Sequence, residues 1–107
     1  MSDFAVEWAE QAYEDVRGIL ARIAVEHPKN AQAVYRKIVS AATSLCTHPR
    51  RGRKVPELVA NGVRDCRELL VAPFRLVYRA SGKKVTVLAV LDGRRDLEDL
   101  LLERALA

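Results

Sequence analysis

The alternation of apolar and polar residues changes period along the chain, and these changes predict the order of the secondary structure. Residues 3–8 alternate strictly, which is typical of a half-buried strand. From residue 9 to about residue 26, apolar side chains recur every three or four positions, which predicts an amphipathic helix. The residue before Pro28 resists the α conformation, so this helix ends there and a second helix of similar pattern continues to about Leu45. The short join predicts an antiparallel helical hairpin.

A basic, irregular segment follows, and then the strand period returns. Residues 50–63 contain Pro56 and Asn61-Gly62, which are turn signals, and we expect a loop there. Short turns at Ala72-Pro73 and Ser81-Gly82 separate three predicted strands, at residues 64–71, 74–79 and 85–91. Asp96 is placed to cap a short final helix.

The predicted order is therefore β-α-α-β-β-β-α, in a single domain of residues 1–107. Strands joined by short turns pair antiparallel, and the first strand must pair elsewhere in the same sheet because an isolated strand is not stable. We expect an α+β fold. It has an antiparallel sheet of about four strands, the N-terminal helical hairpin on one face and a short C-terminal helix.

Charge is unevenly distributed along the chain, and this distribution is more informative about possible partners than the net charge of +4. Residues 50–95 carry 12 Lys/Arg against 4 Asp/Glu, a net charge of +8. Residues 1–49 carry 5 Lys/Arg against 6 Asp/Glu, and residues 96–107 carry 1 against 4. This distribution predicts an electropositive surface that attracts nucleic acid or an acidic protein. A solvated basic face without a partner is the alternative.

Composition argues against several function classes. No apolar run approaches the roughly 18 residues of a membrane span, and the N-terminus lacks the pattern of a signal peptide, so we expect a cytoplasmic protein without a membrane partner. Cys46, Cys66, His27 and His48 follow no metal-ligand spacing, and we expect no metal and no cofactor. The cysteines are interpreted as free thiols.

Several segments, in their order and spacing, resemble the RelE/ParE family of toxins from bacterial type II toxin–antitoxin systems, and more closely its ParE-like branch. The resemblance covers nearly the whole chain. It is carried by Phe4–Trp8, Leu45–Pro49 with Gly52-Arg53, Arg67-Glu68-Leu69, Phe74–Arg79 and Val87–Leu97. Two positions depart from the family pattern: Phe74 stands where tyrosine is common, and Asp92 stands where many members have histidine. Asp92 is expected to pair with Arg94 or Arg95.

The resemblance implies one of two activities. RelE-like members cut messenger RNA on the ribosome, whereas ParE-like members inhibit DNA gyrase without being nucleases. Glu68 and Leu70 lie near the positions of the lysines that the nucleases use, and no tyrosine follows Tyr78. Proton transfer in RNA cleavage needs such groups. We therefore expect a non-catalytic gyrase inhibitor. The alternative is a metal-free, ribosome-dependent endoribonuclease that acts through the two arginines matching the nuclease set, Arg75 and Arg95.

The resemblance also implies a cognate, ParD-like antitoxin with an acidic amphipathic segment that folds on contact. DNA is then expected to be contacted only through the antitoxin, since no helix-turn-helix pattern is evident. The residues expected to contact antitoxin or target are Arg67, Arg75, Arg79, Arg94, Arg95, Leu97 and Leu101. Structural roles are the alternative: ion pairs of Arg75 and Arg79 with Glu68 or Asp65, and core packing for the leucines. A toxin that has lost its activity is a further alternative.

Overall fold

The computed structural model describes residues 3–107, which form a five-stranded sheet with helices on both faces. The elements are β1 (Ala5–Trp8), α1 (Glu10–Glu26), α2 (Pro28–Ser44), β2 (Arg53–Lys54), α3 (Pro56–Ala60), β3 (Cys66–Val71), β4 (Phe74–Ser81), β5 (Lys84–Asp92) and α4 (Glu98–Leu106). Within the described range, no helix is long and apolar enough to cross a membrane.

The strand order across the sheet is β1-β5-β4-β3-β2. β3, β4 and β5 form the antiparallel meander that the short turns predict. β1 joins the edge of β5 in parallel, from Ala5 opposite Lys84 to Trp8 opposite Val87. The expectation of about four antiparallel strands is therefore corrected to five strands with one parallel pair. The direction of β1 could not be predicted because its partner is some 80 residues away and no turn constrains the pairing.

The basic segment at residues 50–63 is not the irregular loop that its turn signals predict. It contains the two-residue strand β2, which pairs antiparallel with β3, and the single-turn helix α3. Both elements are too short to show a period in the sequence. Pro56 occupies the first turn of α3, where its missing N–H costs no hydrogen bond, and Glu57 follows where a carboxylate favours the helix N-terminus.

The sheet separates two hydrophobic cores. On β4, Phe74, Leu76 and Tyr78 face the helical hairpin of α1 and α2, which confirms its predicted position on one face. Val77 points to the opposite face, where α3 and α4 pack. Arg75 and Arg79 alternate with Val77 and therefore share that second face.

The C-terminal helix is anchored to α1 across the sheet by a bidentate ion pair. Nη1 and Nη2 of Arg104 lie 2.8 Å from the two carboxylate oxygens of Asp15, and the backbone N–H of Val90 also donates to Asp15. Both charged side chains are largely buried. Breaking such a pair leaves one charge uncompensated. The ion pair thus fixes α4, and with it the second core, relative to the N-terminal half.

Candidate functional site

Arg75 lies at the centre of a partly buried cluster of charges on the α3–α4 face of the sheet. Its Nε donates to Glu68 at 2.7 Å, and its Nη1 and Nη2 donate to the two carboxylate oxygens of Glu57, each at 2.7 Å. Glu68 also accepts from Nε of Arg53 at 2.7 Å. Arg75 is 8% exposed and Glu68 is 4% exposed. We call these four residues the Arg75 cluster.

Neighbouring elements deliver the members of the Arg75 cluster. In the β3–β4 register, Arg75 lies opposite Leu70 and Val77 lies opposite Glu68, so Glu68 is the diagonal neighbour of Arg75 on the same face. Arg53 on β2 lies directly opposite Glu68. Glu57 reaches the guanidinium from the first turn of α3. The cluster therefore ties two strands and α3 to β4.

Two glycines allow the backbone to close around this cluster. A Cβ at Gly52 would lie 2.5 Å from the carbonyl oxygen of Glu68 and 2.7 Å from the hydroxyl of Tyr78. At Gly93, a Cβ would lie 3.0 Å from Cγ of Arg75 and 3.0 Å from the carbonyl oxygen of Pro73. A larger residue at position 52 would push against backbone, which cannot move aside cheaply. Position 52 thus requires glycine because of close packing, whereas at position 93 a side chain would fit only if its neighbours shifted by a few tenths of an ångström.

The ion pair between Arg75 and Glu57 shifts the pKa values of both residues. Hydrogen bonds from Arg75 lower the pKa of Glu57 from its usual 4.5 to about 2, although partial burial opposes the shift. The same hydrogen bonds, foremost those with Glu57, raise the pKa of Arg75. Three of the five N–H donors of this guanidinium are therefore engaged by the chain's own carboxylates.

Arg79 forms a second ion pair on the same face. Its Nε donates to Asp65 at 2.8 Å, and its Nη2 donates to the carbonyl oxygen of Ala105 in α4 at 2.8 Å. The hydrogen bond from Arg79 lowers the pKa of Asp65. Desolvation raises the pKa of the neighbouring Cys66 thiol to about 11, so this buried cysteine is a poor nucleophile. The ion pairing of Arg75 with Glu68 and of Arg79 with Asp65, the structural alternative for both arginines, is confirmed.

Arg94 and Arg95 lie in the exposed loop after β5. Nε and Nη2 of Arg94 donate to the carboxylate of Asp92 at 2.9 and 2.7 Å, as expected for this aspartate. These hydrogen bonds hold the pKa of Asp92 well below its usual range. The side chain of Arg95 is exposed and lies in no ion pair with residues 3–107. Arg95 is thus available to a partner without breaking an existing contact.

The remaining predicted contact residues lie in different surroundings. Leu97 is 3% exposed and Leu101 is 1% exposed, and both belong to the core beneath α4. Core packing accounts for this burial, and contact with a partner stays a prediction for these leucines. Arg67 is half-buried on β3, and its Nη1 donates to the carbonyl oxygen of Gly52 at 2.9 Å. It lies on the opposite face of β3 from Glu68.

A basic and apolar groove runs around the outer edge of β3. β2 pairs only with Arg67 and Glu68, so in the described part of the chain no strand covers the outer side of residues 69–71. Two pockets of about 670 and 600 Å³ adjoin there and share Arg51 and Leu70. Their basic residues are Arg36, Lys37, Arg51, Arg53, Arg75 and Arg94, and their apolar ones are Ala41, Leu69, Leu70, Val71, Ala72 and Pro73. We call the two pockets together the edge groove.

A comparison with protein-family models identifies the fold's relatives. The model described as "ParE toxin of type II toxin-antitoxin system, parDE" matches residues 6–97, which is most of the chain. The chain belongs to the ParE toxin family. This confirms the resemblance that the sequence shows to the ParE-like branch.

A solved ParDE structure shares the fold of this ParE-family chain. A chain described as "Chromosomal ParDE TA system from P. aeruginosa" superposes with a TM-score of 0.65. The match covers 81% of the present chain and 92% of the other, at 22% sequence identity. No curated protein sequence matches. At this identity the structural likeness establishes the architecture alone.

The structure brings some predicted contact residues of this ParE-family protein together and separates others. Arg75 and Arg94 both line the edge groove, whereas Arg67 and Arg79 lie toward the other end of β3. Sequence reasoning did not identify Glu57, although Pro56-Glu57 has the composition of a helix start. It noted Leu70 only as a departure from the nuclease pattern. Leu70 is 75% exposed at the open edge of β3, which marks this residue as a contact candidate.

Among residues 3–107, no three His, Cys, Asp or Glu side chains are grouped so that they could hold a metal ion. The one carboxylate that lines the edge groove, Glu68, is instead engaged by arginines, because it accepts from both Arg53 and Arg75. The groove presents cations and apolar side chains, which are groups that suit the binding of a partner with carboxylates and apolar residues.

The depressed pKa of Glu57 predicts an acid-dependent loss of stability. Because the folded pKa is lower than the unfolded one, ionised Glu57 stabilises the fold fully above pH 4.5, and this contribution is lost as the pH falls toward 2. Discounted for partial exposure, it amounts to about 2 kcal/mol. Urea unfolding of the wild type and of Glu57→Gln between pH 7 and pH 2 measures it. The free energies of unfolding should converge at low pH, and a difference independent of pH would contradict the ion pairing.

Proposed function

We propose that this chain is the toxin of a ParDE pair, that a cognate ParD-like antitoxin neutralises it, and that it acts by binding DNA gyrase rather than by cutting RNA. Membership of the ParE family supports the toxin assignment. The engagement of Arg75 by Glu57 and Glu68 is the observation that favours binding over catalysis. We also infer that the toxin is cytoplasmic, because we expect both proposed partners there.

The antitoxin site we infer is the edge groove. An acidic, amphipathic segment needs apolar contacts along one side and cations along the other, and the groove offers both. Leu70 projects from the open strand edge as an anchor, while Arg51 belongs to both pockets. An extended segment could also pair with the uncovered backbone of residues 69–71. These features favour a segment that folds on contact.

The case against RNA cleavage rests on what surrounds Arg75. Nucleases that use this position need its guanidinium free to stabilise charge on the phosphate. Here Glu68 lies 2.7 Å from Nε of Arg75, so a phosphate brought to this place would meet a buried carboxylate. Leu70 offers no proton. The hydroxyl of Tyr78 is buried and accepts from the backbone N–H of Gly52, and burial raises its pKa.

The target surface we propose includes the exposed cations beside the groove. Arg95 has no carboxylate partner in residues 3–107, and Arg94 is exposed although it pairs with Asp92. Arg67 is half-buried at the other end of β3, so it lies outside this surface, and its contact with a partner stays a prediction. Gyrase inhibition by binding requires only such a complementary surface, without a proton donor or acceptor.

The antitoxin site is tested by changing the anchor of the edge groove. Leu70→Asp places a carboxylate against an acidic partner and removes apolar contact, so affinity for the antitoxin encoded beside the toxin should fall about tenfold or more. Calorimetric titration measures the dissociation constant. Val25→Asp is the matched control, because Val25 is an equally exposed apolar residue in the helical hairpin, away from the groove. Unchanged affinity for Leu70→Asp would contradict this site.

The target is tested by adding purified toxin to two reactions. Gyrase supercoiling of relaxed plasmid should be inhibited, while messenger RNA in a translating extract should stay intact. Toxin saturated with antitoxin is the control and should leave both reactions unaffected. General acid–base groups each contribute about 10²–10⁴ in rate, so without them cleavage should be negligible. Codon-positioned cleavage with normal supercoiling would instead identify a ribonuclease in which Arg75 and Arg95 have catalytic roles.

A further inference from the structure

Four basic residues line a pocket of about 260 Å³ at the end of β3 opposite to the edge groove. These residues are Arg50, Lys54, Arg64 and Arg67, and we call the pocket that they line the basic pocket. The only carboxylate in the lining is Asp65, which already pairs with Arg79 at 2.8 Å. The pocket therefore has a strong local excess of positive charge.

None of the four cations lies in an ion pair within the described chain. Lys54 and Arg67 lie directly opposite each other on β2 and β3. Like charges in this position destabilise a sheet, and here no carboxylate separates them. The side chains of these two cations donate hydrogen bonds only to backbone oxygens: Nζ of Lys54 donates to the carbonyl oxygen of Arg64, and Nη1 of Arg67 donates to that of Gly52. An anion in the pocket would compensate this repulsion.

We propose that the basic pocket binds the phosphodiester backbone of duplex DNA. Ala80 is the only apolar side chain in the lining, so an amphipathic peptide would find no anchor there, in contrast to the edge groove. No aromatic side chain lines the pocket, and such side chains are what stack the bases of single strands. A regularly spaced row of phosphates needs only the cations.

The choice of DNA rather than RNA rests on the proposed function, because a gyrase inhibitor works beside the DNA that the enzyme holds. Contact through the basic pocket would let the toxin bind DNA directly and without sequence preference, in addition to any contact made through an antitoxin. Toxin and gyrase would then bind the same DNA duplex. This direct contact departs from the expectation that DNA is reached only through the antitoxin.

The test uses purified toxin and a fluorescent 20-base-pair DNA duplex, with binding followed by anisotropy at increasing salt concentration. Four phosphate contacts predict a slope of log K against log salt of about −3 to −4. Arg50→Ala/Arg64→Ala should reduce the slope by about 2 and weaken binding about tenfold or more at 0.1 M salt. Arg50 and Arg64 are exposed and their side chains make no hydrogen bond or ion pair in residues 3–107, so folding is preserved.

The matched control is Arg22→Ala/Lys29→Ala, which removes the same charge from exposed positions in the helical hairpin. Its affinity should stay within about twofold of the wild type. Equal weakening by both double variants, or no binding by the wild type, would overturn the proposal. Duplex RNA bound more tightly than DNA, or displacement of DNA by polyglutamate at equal charge, would also overturn it. The supercoiling assay is independent: inhibition by a toxin that does not bind DNA would leave the proposed function standing.

Discussion

The Arg75 cluster is the interaction on which the arrangement of the second face depends. One guanidinium joins β4 to β3 through Glu68 and to α3 through Glu57, with three N–H···O contacts of 2.7 Å. Removing one member of such a buried pair costs about 3–5 kcal/mol because the other charge is left uncompensated. The close packing at Gly52 and Gly93 has the same origin, because both glycines lie against residues of the cluster.

Arginines that pair with the chain's own carboxylates have structural roles, whereas arginines without such a pair are available to partners. Arg75 and Arg79 on β4 are held by the chain's own carboxylates and connect the sheet to α3 and α4. The cations without a carboxylate partner lie outside this network, and those at the two ends of β3 have different neighbours. Arg51 lies among apolar side chains at the edge groove, whereas Lys54 and Arg67 lie in a pocket lined almost wholly by cations. The two surfaces therefore suit ligands of different chemistry.

Sequence patterns predicted the elements whose period extends over several turns or pleats. α1, α2, β4 and β5 are long enough to show apolar repeats, and their positions are confirmed. β2 and α3 have two and five residues, so no period could reveal them. The parallel pairing of β1 with β5 depends on contacts far apart in sequence, which local patterns do not contain.

The site was predictable to the extent that it lies on regular strands. Alternation places Arg75 and Glu68 on one face, so their ion pair could be considered from sequence, but Glu57 enters from an unrecognised helix. Arg75 was predicted to contact antitoxin or target, with an ion pair to Glu68 or Asp65 as the alternative. The structure shows ion pairs with Glu68 and Glu57, and contact with a partner stays a prediction. Leu70 is 75% exposed and lies beyond the end of β2, and strand length is decided by tertiary packing rather than by propensity.

Hydrogen exchange at the Nε–H of Arg75 tests most directly whether this guanidinium is committed to the fold. The proton can be followed in ¹H–¹⁵N spectra beside that of Arg95, which lies in the exposed loop after β5. Because Nε of Arg75 donates to buried Glu68 at 2.7 Å, its exchange with water should be slower than that of Arg95 by about tenfold or more. Exchange of Arg75 as fast as that of Arg95 would show a free guanidinium and contradict the closed cluster.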